Sequence, residues 1–214
     1  ELEYIARKGK PVLLATGAAY LGEVQRAVHT ILAINPQLVL MQCNTNYTGS
    51  IENFNHVHLN VLKTYALMFP ELVLGLSDHT PGHAAVLGAV TLGARVVEKH
   101  FTDDTSREGP DHGFALDPRT WREMVDRTRE LERALGSADK QVAENERETV
   151  IIQRRCLRAA RDLRAGEKIT RADIAVLRPA TPGAILPTHL PEVIGATARH
   201  DIPAGKELRW DDIQ

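Results

Sequence analysis

His79 and His100 close two successive apolar segments, Leu72-Val73-Leu74-Gly75-Leu76-Ser77-Asp78-His79-Thr80 and Ala94-Arg95-Val96-Val97-Glu98-Lys99-His100-Phe101-Thr102. A neutral imidazole offers a lone pair, and two at adjacent strand ends can share one divalent metal ion. Side chains on one face of a strand recur every second residue. Ser77 and His79 therefore share a face, as do Val96, Glu98 and His100. The acidic, Gly-Pro-containing loop Asp103–His112 follows directly and supplies Asp111 and His112. The same residues also suit a second reading, in which each histidine is a hydrogen-bonded structural group.

For the two imidazoles to meet, their strands must be parallel neighbours joined by a returning helix, and Ala84–Leu92 reads as that helix. The pattern extends over the first 138 residues. Pro11–Ala15 and Leu38–Cys43 read as strands, Leu21–Ile34 and His58–Met68 as helices. Pro118–Leu135 closes the series, with Trp121, Met124, Val125, Thr128 and Leu131 marking one stripe. Near-continuous apolar strands indicate a parallel sheet covered on both faces. Four β/α units in this order fit an α/β fold, either a doubly wound sheet or half of a (β/α)8 barrel. In either, ligands bind at the C-terminal strand ends. Half a barrel leaves two open edges and an unfilled interior, and the chain opens on a helix-like stretch, Leu2–Lys8. The expectation is that residues 1–138 are the C-terminal half of a longer barrel.

Residues 139–148 read as the core of a polar linker. Residues 149–214 read as a second domain of short β segments with Pro and Gly turns. It contains an internal repeat: Asp162-Leu163-Arg164-Ala165-Gly166, closing on Asp173-Ile174, matches Asp201-Ile202-Pro203-Ala204-Gly205, closing on Asp212-Ile213. A duplicated β unit with pseudo-two-fold symmetry accounts for it.

Net charge is −2 with scattered signs, so nothing favours nucleic acid as a partner. No apolar run is long enough to span a membrane, and Glu1-Leu2-Glu3-Tyr4 does not read as a signal peptide. Two distant cysteines, Cys43 and Cys156, suit a reducing cytoplasm and give no disulfide framework. Cys43 ends a strand, as a buried inert thiol or a reactive one.

Taken together these residues resemble the N-acetylneuraminate (sialic acid) synthase family. The motifs are Lys10-Pro11-Val12, Ala15-Thr16-Gly17, Cys43-Asn44-Thr45-Asn46-Tyr47, Gly75-Leu76-Ser77-Asp78-His79-Thr80, Leu92-Gly93-Ala94, Glu98-Lys99-His100-Phe101-Thr102 and Gly109-Pro110-Asp111-His112. The region after the linker is similar to the antifreeze-like (SAF) domain of those enzymes, through Arg154-Arg155, Arg158-Ala159-Ala160, Ala165-Gly166 and Leu177-Arg178-Pro179.

The resemblance implies a (β/α)8 TIM barrel followed by a small β-clip domain, in a domain-swapped homodimer where the small domain caps the partner's barrel mouth. It implies condensation of phosphoenolpyruvate with an open-chain N-acyl hexosamine such as N-acetylmannosamine, giving a nine-carbon 2-keto-3-deoxy acid and phosphate with C–O cleavage. It assigns His79 and His100 to a divalent metal, Mn²⁺ foremost, with Mg²⁺ or Co²⁺ as alternatives. Asp111 would contact sugar hydroxyls and metal-bound water, and Tyr47 would face the hexosamine. Thr45 and Ser77 would offer hydroxyls to phosphoenolpyruvate, and Arg178 would reach the N-acyl group across the dimer. Lys99 alternates away from His100 and is expected to pack behind the site or pair with an acid.

Departures bear on the sugar. The family's Ser-Thr-Gly-Met reads Ala15-Thr16-Gly17-Ala18, its Cys-Thr-Ser-x-Tyr-Pro reads Cys43-Asn44-Thr45-Asn46-Tyr47-Thr48, and Ala115 stands where Ser is common. The family's remaining phosphoenolpyruvate-binding lysines, and an acid handling the metal-bound water, belong to the first half of the barrel. Legionaminate and pseudaminate synthases share nearly all these motifs. A non-catalytic sugar-binding or dimerisation fragment is the reading from another class, and a generic metal-dependent aldolase would leave the repeated small domain unexplained.

Overall fold

Four short apolar runs pair side by side in a computed structural model that describes residues 1–214. The chain forms two compact units, Glu1–Ser137 and Ala138–Gln214.

In the first unit a short helix α1 (Leu2–Ala6) precedes β1 (Val12–Ala15), α2 (Leu21–Leu32), β2 (Leu38–Cys43), α3 (Val61–Met68), β3 (Val73–Asp78), α4 (Ala84–Thr91), β4 (Val96–Lys99) and α5 (Pro118–Leu135). The sheet order is β1-β2-β3-β4, and every neighbouring pair is parallel. A doubly wound sheet needs a reversal of strand order, and there is none. The unit is half of a (β/α)8 barrel.

Burial follows the period of two. Leu38, Leu40, Leu74 and Leu76 face the helices and pack with Val28 and Ile31 of α2, Leu62 of α3, and Val86 and Ala89 of α4. Each of the buried leucine, isoleucine and valine side chains contributes about 1.5–3 kcal/mol on burial. The opposite, inner face is only partly covered: Leu13 is 49% and Val73 45% exposed. The expectation of a sheet covered on both faces is thus met on the helix side alone. In a barrel the inner residues of each strand pack on those of the others, which is why apolar residues line this open side.

The ends of α5 follow its sequence. Asp117 accepts a hydrogen bond from the Thr120 amide at 2.7 Å, and Pro118 occupies the first turn, where its missing N–H is no loss. A glycine at 136, with φ of 51°, ends the helix.

In the second unit β5 (Cys156–Ala159) pairs antiparallel with β6 (Ile174–Leu177), and a short α7 (Leu190–Val193) follows. The internal repeat is realised reciprocally. The Ala165 amide donates to Asp201 and the Ala204 amide to Asp162, each at 2.8 Å. Asp173 accepts from the Thr170 amide, and Asp212 from the Arg209 amide, again at 2.8 Å each. Leu163, Ile202 and Leu208 fill the core between the copies. One element departs from the sequence reading: residues 147–153, straddling the expected linker end, form a helix, α6 (Arg147–Gln153).

Candidate active site

The register of β3 and β4 sets Ser77 opposite Glu98 and Asp78 opposite Lys99. Alternation then sends Ser77, Glu98, His79 and His100 to the inner face, at the C-terminal ends of the strands. The two imidazole centroids lie 5.1 Å apart. His79 is 6% exposed. Its Nδ1 is 2.9 Å from the Asn44 carbonyl oxygen, which can only accept, so Nδ1 carries the proton and Nε2 the lone pair. Burial holds the His79 pKa below its ordinary value; the Asn44 contact opposes this, and the nearby His100 adds to it. The net shift favours the neutral ring.

The loops after the strands complete the surroundings. The Asp111 carboxylate lies 3.5 Å from His100 Nδ1. That is the position of an acid orienting an imidazole through its second nitrogen. The Tyr47 ring centroid is 4.4 Å from that of His79 and 5.6 Å from that of His100. Ser77 Oγ donates to Glu98 at 2.9 Å. Cys43 is half-buried, with Sγ 3.8 Å from Thr45 Oγ1 and 3.9 Å from His79 Nδ1. Thr45 also abuts the loop after β1: a Cβ at Gly17 would lie 1.7 Å from its hydroxyl.

The structure therefore gathers Tyr47, Ser77, His79, His100 and Asp111 on one face, with Thr45 joined through Cys43. Arg178 follows β6 in the second unit and is exposed. Lys99 turns to the helix side and pairs with Asp78 at 2.7 Å, as its alternation with His100 requires.

Two contributors escaped the sequence reading, and a third was legible only in part. Phe114, 4% exposed, stacks its ring 5.0 Å from His100 and 6.3 Å from Tyr47; it comes from an irregular loop with no period to betray it. The Asn44 contribution is a backbone carbonyl, which no side-chain pattern reveals. Glu98 was legible, since it shares a face with His100, but its hold on Ser77 depends on the strand register. Separately, a cavity of about 820 Å³ opens on the helix side, between the ends of β1 and β2 and the starts of α2 and α3, lined by Thr16, Tyr20, Gln42, His58 and Tyr65 among others.

No group of three or more His, Cys, Asp or Glu side chains is arranged to hold a metal ion. What the site offers is two imidazoles with a fixed tautomer at His79. With metal–nitrogen bonds of about 2.0–2.1 Å, rings at this separation can reach a common divalent cation, leaving its other positions open. That donor set fits a catalytic cation better than a closed structural one.

The profile of the NeuB family matches residues 1–140, and that of the SAF domain matches residues 154–214. An N,N'-diacetyllegionaminic acid synthase of Legionella pneumophila is 35% identical over 218 residues, covering 100% of this chain and 60% of that protein. The human N-acetylneuraminate-9-phosphate synthase is 36% identical over 141 residues, covering 66% of this chain and 38% of that protein. The crystal structure of the spore coat polysaccharide biosynthesis protein spsE of Bacillus subtilis superposes with a TM-score of 0.57 at 35% identity, covering 100% of this chain and 63% of that one. The chain thus spans about 60% of the length of the Legionella relative.

Proposed function

The chain belongs to the NeuB family over residues 1–140 and carries a SAF domain over residues 154–214, and on that premise we propose that it serves a synthase condensing phosphoenolpyruvate with an N-acyl hexosamine to form a sialic-acid-type 2-keto-3-deoxy acid and phosphate. The observation that carries this reading is the imidazole pair: two rings on one face, 5.1 Å apart, with the His79 lone pair turned away from the Asn44 carbonyl. A divalent cation there, Mn²⁺ foremost, would polarise the acceptor carbonyl as a Lewis acid.

The protein's own groups do the rest. His79 and His100 hold the cation, and Asp111 orients His100 while accepting hydrogen bonds from sugar hydroxyls. The Tyr47 ring packs against the sugar. Thr45 donates its hydroxyl to the phosphoenolpyruvate anion, and Ser77 does so on release from Glu98. Arg178 is the donor to the N-acyl carbonyl, supplied by the second subunit of a domain-swapped homodimer. Its planar guanidinium also keeps water from the mouth. No helix is long and apolar enough to cross a membrane, and a cytoplasmic setting agrees with phosphoenolpyruvate as substrate.

The acceptor is an N-acyl hexosamine of the neuraminate, legionaminate or pseudaminate series. The deciding experiment measures phosphate release from phosphoenolpyruvate with Mn²⁺ and a panel of N-acyl hexosamines, for residues 1–214 and for the full natural chain beside them. Turnover with one acceptor series supports the proposal and names the sugar. Sugar binding without phosphate release by either protein would favour a non-catalytic binding role instead.

A further inference from the structure

Directly behind the imidazoles, on the helix side of the sheet, lies a buried ion pair. Lys99 Nζ is 2.7 Å from Asp78 Oδ2, and both side chains are 1% exposed. Lys99 also donates to the Thr80 carbonyl at 2.6 Å. The other Asp78 oxygen accepts from the Thr80 amide at 3.0 Å and the Thr80 hydroxyl at 2.8 Å. The two residues are register partners across β3 and β4, and each immediately precedes one of the histidines. The period of two therefore places the pair on one face and the imidazoles on the other.

A buried ion pair is a poor source of net stability, because an apolar pair of similar volume holds a core as well or better. What it does supply is discrimination. A slip of one residue would flip one strand against the other, turning its histidine to the helix side away from its partner and separating the two charges, one of them left buried and unpaired. Thr80 extends the lock beyond the end of β3, tying the residue after His79 to the residue before His100.

We propose that Asp78 and Lys99, with Thr80, are positioning residues: their buried pair fixes the register of the two strand ends so that His79 and His100 face one ion. This rests on the reading of the histidines as a cation site. They act on the imidazoles from behind and touch neither substrate nor metal.

The test replaces the charges by an apolar pair, Asp78→Leu with Lys99→Met, and follows three quantities: thermal unfolding, the nuclear Overhauser contact between the two imidazoles, and Mn²⁺ affinity from the signal of free Mn²⁺ in electron paramagnetic resonance. The expected result is a protein that melts close to the native temperature, loses the inter-ring contact, and binds Mn²⁺ weaker by about tenfold or more. Lys99→Arg, which keeps the charge, should retain both contact and affinity. Should the double variant fail to fold, Thr80→Val removes one hydrogen bond to Asp78 and should weaken both readouts partially. An inter-ring contact that survives the apolar pair overturns the proposal, whatever Mn²⁺ does. A native protein that shows the contact but binds no Mn²⁺ would instead sink the cation reading, and loss of the contact in the double variant would still establish the positioning role.

Discussion

Gly17→Ala should damage both the fold and the proposed phosphoenolpyruvate site, for one steric reason. The added Cβ would lie 1.7 Å from Thr45 Oγ1, 3.0 Å from Thr45 Cβ and 3.0 Å from Cys43 Sγ. Turning Thr45 about χ1 removes the first contact but not the other two, so the loops after β1 and β2 must also part. Overpacking of this kind costs about 1–3 kcal/mol. At about 2–4 °C per kcal/mol for a chain of this size, the midpoint falls by several degrees. Thr45→Ala deletes the hydroxyl that collides most severely, so adding it to Gly17→Ala should recover about 1 kcal/mol of coupling in a double-mutant cycle. Urea denaturation of the four proteins gives the numbers, and phosphoenolpyruvate saturation gives the functional side: KM rises in Gly17→Ala because the Thr45 hydroxyl is turned away. A Gly17→Ala variant as stable as the native chain would refute the reasoning. So would a penalty that Thr45→Ala leaves untouched.

Further outcomes follow from other sites. His79→Ala or His100→Ala should abolish the proposed Mn²⁺-dependent phosphate release while leaving the molar mass by light scattering unchanged from the native protein; full activity in either removes that residue from the ligand set. Lys99→Met alone leaves Asp78 buried without its partner, and chemical denaturation should register a loss of about 3–5 kcal/mol that Asp78→Leu largely restores. In the second unit, Thr170 hydrogen bonds hold the Asp173 carboxyl below its ordinary 3.8. For Asp212, burial works the other way but is outweighed by hydrogen bonds from Lys206, the Arg209 amide and His200. A depressed native pKa means stability present above the unfolded value and lost as pH falls through the native one. This unit should therefore weaken below about pH 4, and Asp173→Asn with Asp212→Asn should flatten that acid limb in circular dichroism titrations.

Much of this was legible because periodicity survives folding. The runs at 12–15, 38–43, 73–78 and 96–99 are strands within a residue or two of their apolar limits, and α5 runs from the proline at 118 to the leucine at 135 as its stripe and caps dictate. The alternation that put His79 with Ser77 and His100 with Glu98 held, since a strand cannot send neighbours to the same face. The Asp-Ala-Gly repeat survived as reciprocal turn-closing hydrogen bonds. What was not legible lies where no period operates: the Asn44 carbonyl that sets the His79 tautomer, the Phe114 ring against His100, and α6, whose seven residues are too few for a decisive helical stripe. The helix-side cavity was hidden for a similar reason, because its walls come from two loops and two helix starts distant in sequence.

The same period ties the candidate site closely to the packing behind it. Between Gly75 and His100, β3 and β4 present two registers of chemistry separated by one residue: hydroxyl, carboxylate and imidazoles inside, a buried Asp–Lys pair outside. Each face constrains the other. The outer pair tolerates only the alignment in which Asp78 meets Lys99, and in that alignment Ser77 meets Glu98 and the imidazoles come to 5.1 Å. An anionic substrate approaching Ser77 must therefore compete with Glu98 for the hydroxyl, and a cation beside His79 and His100 would draw that carboxylate toward itself and free the hydroxyl for the anion. Under the proposed function, the expected outcome is ordered binding, cation first and phosphoenolpyruvate second; Glu98→Gln should blunt the order, because a neutral amide is drawn far less strongly. Isothermal titration with phosphoenolpyruvate, with and without Mn²⁺, measures it. Phosphoenolpyruvate binding that is equally tight in the absence of Mn²⁺ would show that Ser77 is never released by the cation.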